Sequence, residues 1–76
     1  MDIGNKIKQL RQKANLTQEQ LAEVLGVTAG AVYKWESGLS VPELDLIVEM
    51  ADFFDIFILG EGEEVNLELM DLFNEM

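Results

Sequence analysis

The sequence predicts an all-helical domain, and two observations carry that reading. Apolar residues recur at helical spacing along most of the chain, and three segments open with residues suited to cap a helix N-terminus. Ile3, Ile7, Leu10 and Ala14 form the apolar stripe of a first helix over about 3–14, with Lys6, Lys8 and Lys13 between them. Asn15 is a suitable stop. Thr17-Gln18-Glu19-Gln20 has the form of a capping box, in which Thr17 accepts an orphan amide and Gln20 reaches back. The second helix runs to Leu25 with Leu21, Ala22 and Leu25 inward, and Gly26 ends it. Thr28 caps a third helix to about Glu36, with Ala31, Val32 and Trp35 inward and Ser37-Gly38 closing it. Ser40-Val41-Pro42-Glu43 reads as a second capping box with Pro42 in the first turn of a fourth helix. That helix continues to about Phe54 with Leu44, Ile47, Met50, Ala51 and Phe54 inward. Phe54 to Leu59 is the weakest span and is also compatible with extended chain. Gly60 to Glu64 reads as a polar turn, and Val65 to Met76 as a short last helix with Leu69, Leu72, Phe73 and Met76 on one stripe. The expected organisation is a domain over 1–60 and an acidic extension over 61–76.

Composition narrows the function. Seventy-six residues make one small domain, and a 49% hydrophobic content suits a folded chain. No apolar run approaches the roughly 20 residues of a membrane span, and Met1 to Asn5 lacks the basic-then-apolar pattern of a signal peptide. The expectation is a cytoplasmic protein. With no cysteine and no histidine, disulfides, thiolate metal sites and the commonest general base are all missing. Glu61, Glu63 and Glu64 read as solvated charge and lack the ligand spacing of a calcium loop. No nucleophile or phosphate loop accompanies the many acids, so the sequence predicts no enzyme, no metal and no cofactor.

The net charge of −10 argues on its face against a polyanionic partner. Its distribution changes that. Residues 1–40 hold all five bases against four acids, or +1, whereas residues 41–76 hold eleven acids and no base, or −11. A nucleic acid would meet the first half, with the acidic half turned away.

The informative constellation is a pair of short helices on a tight turn, Gln18 to Leu25, then Gly26-Val27-Thr28, then Ala29 to Glu36. A steep crossing on so short a turn needs a left-handed residue, here Gly26, and a small residue at the contact, here Ala22. Val32 and Trp35 anchor the second of the pair, and Trp35 reads as core, not as a stacking platform. Ala29, Gly30, Tyr33, Lys34 and Ser37 are left outward. A helix anchored on one side and free on the other can enter a major groove.

From Ile3 to about Phe54, some two-thirds of the chain, the sequence resembles the lambda-repressor-like helix-turn-helix domains, the XRE or Cro/CI family. The matching residues are Ile7 to Arg11, Leu16 to Ala22, Leu25-Gly26-Val27, Val32 to Gly38, and Pro42. The resemblance implies a compact four- to five-helix bundle that binds double-stranded DNA, on pseudo-palindromic operators, as a homodimer. It implies a sequence-specific transcriptional regulator of repressor type with the third helix in the groove. It also implies that Gln18 holds a phosphate and that Arg11 pairs with Glu36, a carboxylate that needs a partner once partly buried. Three features depart from the family pattern: Leu39 follows the helix-ending Gly38, Ala29 and Gly30 stand where hydrogen-bonding side chains are common, and Asp55 to Gly60 lacks the short polar break that usually precedes a fifth helix.

Within that frame, Thr28 and Lys34 are the expected polar contacts to bases, Ala29 can touch a thymine methyl, and Gly30 lets the helix approach closely. Gln18 and Ser37 would hold phosphates, and Tyr33 is either a phosphate contact or a surface aromatic. Lys6, Lys8 and Lys13 read equally as a solvated face or as long-range attraction for phosphate. The apolar side chains of the last third, Ile56 to Leu59 with the Leu69 stripe, suggest the dimer interface. The alternative is a protein-interaction module or antitoxin-like adaptor of the same fold that docks a partner through the acidic C-terminal half.

Overall fold

The structure, a computed structural model, describes residues 2–55. The expectations about Ile56 to Met76 lie outside the described residues. Four helices follow in order: α1 (Ile3–Lys13), α2 (Gln18–Leu25), α3 (Ala29–Glu36) and α4 (Leu44–Phe54). The described residues contain no strand.

Starts and stops follow from local chemistry. The Asp2 carboxylate accepts the Gly4 N–H and caps α1 at 3.0 Å. At α2 the capping box is complete: Gln20 N–H donates to Thr17 Oγ1 at 3.1 Å and Thr17 N–H to Gln20 Oε1 at 2.9 Å. Thr28 Oγ1 accepts from Ala31 N–H at the start of α3. The first three helices all end on a left-handed residue, Asn15 (φ 59°), Gly26 (φ 70°) and Gly38 (φ 81°). Each forms the same pair of reversed hydrogen bonds. Asn15 and Leu16 donate to Gln12 and Arg11, Gly26 and Val27 to Glu23 and Ala22, Gly38 and Leu39 to Trp35 and Lys34. These are Schellman stops, which usually set an apolar residue just past the helix against the core. Leu16 and Val27 pack that way, but Leu39 is exposed.

The fourth start corrects the sequence reading. There is no capping box at Ser40. The helix begins at Leu44, its N-cap is Glu43, and no side chain caps it. Leu39 and Ser40 both donate to the Lys34 carbonyl, which ties the chain back onto α3. Pro42 holds its predecessor extended and is buried ahead of the helix, where it serves packing instead of helix initiation. Starting at Leu44 also turns that side chain outward, so Leu44 is exposed where a core position was expected.

The apolar stripes converge on one core. Ile3, Ile7, Leu10 and Ala14 of the first segment meet Leu21, Ala22 and Leu25 of α2, Val32 and Trp35 of α3, and Ile47, Met50, Ala51 and Phe54 of α4. Ile7, Leu21, Val32, Ile47, Met50 and Phe54 are fully buried, and side chains of this kind contribute about 1.5–3 kcal/mol each. Phe53 stacks edge-on against Phe54 with centroids 5.3 Å apart. One contact has no side chain on the α1 side. A Cβ built on Gly4 would overlap the carbonyl oxygen of Trp35, so α1 lies directly on the backbone at the end of α3. That contact and the α2–α3 turn fix how α3 is presented.

Candidate nucleic-acid interface

The turn between α2 and α3 is short because Gly26 accepts φ 70°, ψ 30° and Val27 N–H reaches back to the Ala22 carbonyl at 3.0 Å. Ala22 is 3% exposed, the small residue the crossing requires. α3 is then held from beneath by Val32 and Trp35, and its far side presents Gly30, Tyr33, Lys34 and Ser37, all exposed. These positions, spaced three, four and seven residues apart, form one stripe. The Lys34 ammonium has no carboxylate partner among the described residues. Ala29 departs from the expected outward placement. It is half-buried and packs against the core, so only part of it faces the same side. Thr28 is exposed, but its oxygen is already engaged as the N-cap acceptor; its hydroxyl proton is what it has to offer.

Behind the C-terminal end of α3 lies an ionic network. Arg11 Nε donates to Glu36 Oε2 at 2.7 Å and Nη2 to Oε1 at 3.0 Å, a two-point pair. Arg11 Nη1 donates to the Leu16 carbonyl at 2.8 Å, so the same guanidinium also holds the loop into α2. The two side chains are only 12% and 4% exposed. The hydrogen bond to Glu36 raises the Arg11 pKa, burial works against it, and the charge of Glu36 adds to the rise. Gln18 joins this network, donating Nε2–H to Glu36 Oε1 at 3.1 Å. The Gln18 amide is therefore oriented by Glu36, which the sequence did not indicate.

Ser37 lines the same groove as Gln18, but its hydroxyl donates to the Tyr33 carbonyl at 2.8 Å and so turns its proton into its own helix. Lys8, Gln18, Tyr33, Glu36 and Ser37 together line an open groove of about 170 Å³ between α1, the start of α2 and the end of α3. Among the described residues no cluster of acids could hold a metal ion.

The helix-turn-helix family matches residues 7–56, from the second turn of α1 to just past α4. The chain belongs to the XRE-type helix-turn-helix family. It is similar to the HTH-type transcriptional activator BcrR of Enterococcus faecalis, at 45% identity over 86% of this chain and 33% of that protein. It is also similar to the cryptic phage CTXphi transcriptional repressor RstR of Vibrio cholerae, at 33% identity over 76% of this chain and 52% of that protein. A third likeness is to the HTH-type transcriptional regulator MJ0272 of Methanocaldococcus jannaschii, at 42% identity over 80% of this chain and the whole of that protein. The chain thus spans a third to a half of the first two relatives and the full length of the third. No solved structure matches it.

Proposed function

We propose that this chain is a sequence-specific DNA-binding transcriptional regulator that lays α3 in the major groove. The observation that carries the proposal is the exposed Gly30, Tyr33, Lys34 and Ser37 stripe on a helix whose other side is locked into the core. Lys34 reads the base edge, able to donate to guanine O6 and N7, with Thr28 beside it. Gly30 and the exposed part of Ala29 permit close approach and an apolar contact. Gln18 and Tyr33 face the backbone and set register, and Ser37 joins them when its hydroxyl turns away from the Tyr33 carbonyl. The domain binds as a homodimer on a pseudo-palindromic operator, acts in the cytoplasm, and catalyses no reaction. No helix among the described residues is long and apolar enough to cross a membrane. The likeness to a named activator and a named repressor supports regulation in either direction, with repression as the reading drawn from the repressor type.

The test is binding to a panel of single-base operator variants chosen from a random duplex pool. Lys34→Ala relaxes preference at one position per half-site by about 1–3 kcal/mol, whereas Gln18→Ala weakens all sequences alike. If Lys34→Ala lowers every affinity equally, Lys34 is only a phosphate contact. If the wild-type chain binds no mixed duplex at low salt, the protein-docking reading through the acidic C-terminal half replaces this one.

A further inference from the structure

Glycine weakens a helix relative to alanine, and Gly4 sits in the first turn of α1 without the positive φ that would call for it. What calls for it is space. An added Cβ would overlap the Trp35 carbonyl oxygen and lie 3.1 Å from the Trp35 carbonyl carbon and 3.3 Å from that of Glu36. We propose that Gly4 is a positioning residue for operator reading: it touches no DNA itself but sets the angle at which α3 offers Lys34 to the bases. The proposal rests on the DNA-binding reading above for what α3 reads, whereas the hold of Gly4 over α3 rests on the contact.

The Trp35 carbonyl is main chain and cannot turn aside as a side chain would. It also accepts the Gly38 N–H at 3.2 Å in the stop that ends α3, and the Lys34 carbonyl before it accepts from Leu39 and Ser40. Gly4 therefore bears on the last turn of α3, the turn that carries Lys34, while the Gly26 turn fixes the other end. A methyl at position 4 has to push α1 and α3 apart, and two features pass that push to α3. First, α1 is anchored in the core by Ile3, Ile7 and Leu10, whereas the eight-residue α3 has two buried anchors, Val32 and Trp35. Second, Arg11, about two turns further along α1, grips Glu36, the neighbour of Trp35, at 2.7 and 3.0 Å, so α1 cannot swing clear without drawing the end of α3 with it. Hydrogen bonds to base edges need placement within roughly 0.5 Å, whereas the attraction of lysines to phosphate charge does not. A tilt of α3 thus weakens specific binding and spares non-specific binding.

The test, on the full chain, is the ratio of affinities for the selected operator and for an unrelated duplex, taken well below every melting midpoint. Gly4→Ala is expected to lose about tenfold on the operator, the loss of one base contact, and to keep its affinity for the unrelated duplex. Met50→Ala, a cavity at a fully buried site in α4, lowers the melting temperature and is expected to keep the ratio. Asp2 offers a milder perturbation, because its carboxylate caps this turn through the Gly4 N–H at 3.0 Å. Asp2→Ala and Asp2→Asn both lose the charge, but asparagine still caps, so the ratio is expected to fall for alanine only. An unchanged ratio in Gly4→Ala, or in Asp2→Ala if Gly4→Ala does not fold, would mean that α1 gives way alone and would overturn the proposal. An equal fall in Met50→Ala would overturn it too, by making specificity a matter of stability. Backbone amide resonances recorded without DNA give an independent reading: Gly4→Ala is expected to shift Lys34 and Ser37 as well as α1. If these shift but the wild-type chain binds no duplex, Gly4 sets α3 and it is the DNA reading that fails. Shifts confined to α1 would remove the proposal whatever the DNA result.

Discussion

Replacing Arg11 by alanine removes three hydrogen bonds at once: two to Glu36 and one to the Leu16 carbonyl. The remaining carboxylate is 4% exposed and keeps only the neutral Gln18 donor at 3.1 Å. Breaking a buried pair from one side costs about 3–5 kcal/mol, because the abandoned charge stays desolvated. Glu36 also lines an open groove, through which water can partly reach it, so the lower end applies. About 3 kcal/mol in a domain of this size corresponds to roughly 12–24 °C in melting temperature. Thermal denaturation followed by circular dichroism measures the shift, and DNA affinity is taken well below either midpoint. Arg11→Met with Glu36→Leu should recover most of the loss, since the stranded charge is gone. The Arg11 pKa is raised by Glu36, so its stabilising contribution is fully present below the unfolded arginine value. It is lost only as pH rises through the still higher folded value. The difference between wild type and Arg11→Ala should therefore not vary through Arg11 titration near neutral pH. Unchanged melting with lost DNA affinity would refute this reasoning and make Arg11 a direct phosphate contact.

Alanine at three glycines should give three different results, each read by the same melting experiment. Gly26 has open space around its missing Cβ but φ 70°, so Gly26→Ala should cost about 1–2 kcal/mol in backbone strain alone. Gly4→Ala should cost more, since the new methyl meets the Trp35 carbonyl and α1 has to move. At Gly30 the nearest atom to a Cβ is Thr28 Oγ1 at 3.7 Å, an ordinary contact, so Gly30→Ala should stabilise α3 by up to about 1 kcal/mol. The same change should alter DNA affinity if the helix approaches bases closely there. Sedimentation at tens of micromolar should show a dimer. The described residues already leave Leu39, Val41, Leu44 and Val48 exposed, and a monomer alone at that concentration would count against two-fold operators with half-sites roughly 34–36 Å apart.

The elements whose signals are local were legible before the structure. Thr17, Thr28, Asn15, Gly26 and Gly38 act within a few residues of themselves, and the capping and stop geometries around them match their reading. Ser40 to Glu43 misled for a physical reason. The same residue types suit a capping box and a turn, and here the hydrogen bonds of Leu39 and Ser40 to Lys34 compete for the segment. The site was legible in outline, since the outward stripe of α3 follows from helical spacing. Hidden were the contacts between residues far apart in sequence: Gln18 on Glu36, Arg11 on the loop into α2, and Lys8 in the same groove as Ser37. Gly4 gave a faint signal. Glycine in the first turn of an amphipathic helix costs about 1 kcal/mol against alanine, which calls for a packing reason.

The backbone contact at Gly4 also bears on how such a protein tolerates mutation. The angle of α3 is pinned where one main chain rests on another, at a joint with no rotamer to change on the α1 side. Side chains elsewhere in the core can drift in size and shape over many generations without loosening that pin. Operator preference and thermal stability are thus free to vary separately: the outward stripe can be rewritten for new DNA while the core is retuned for a new temperature, with position 4 held fixed beneath both.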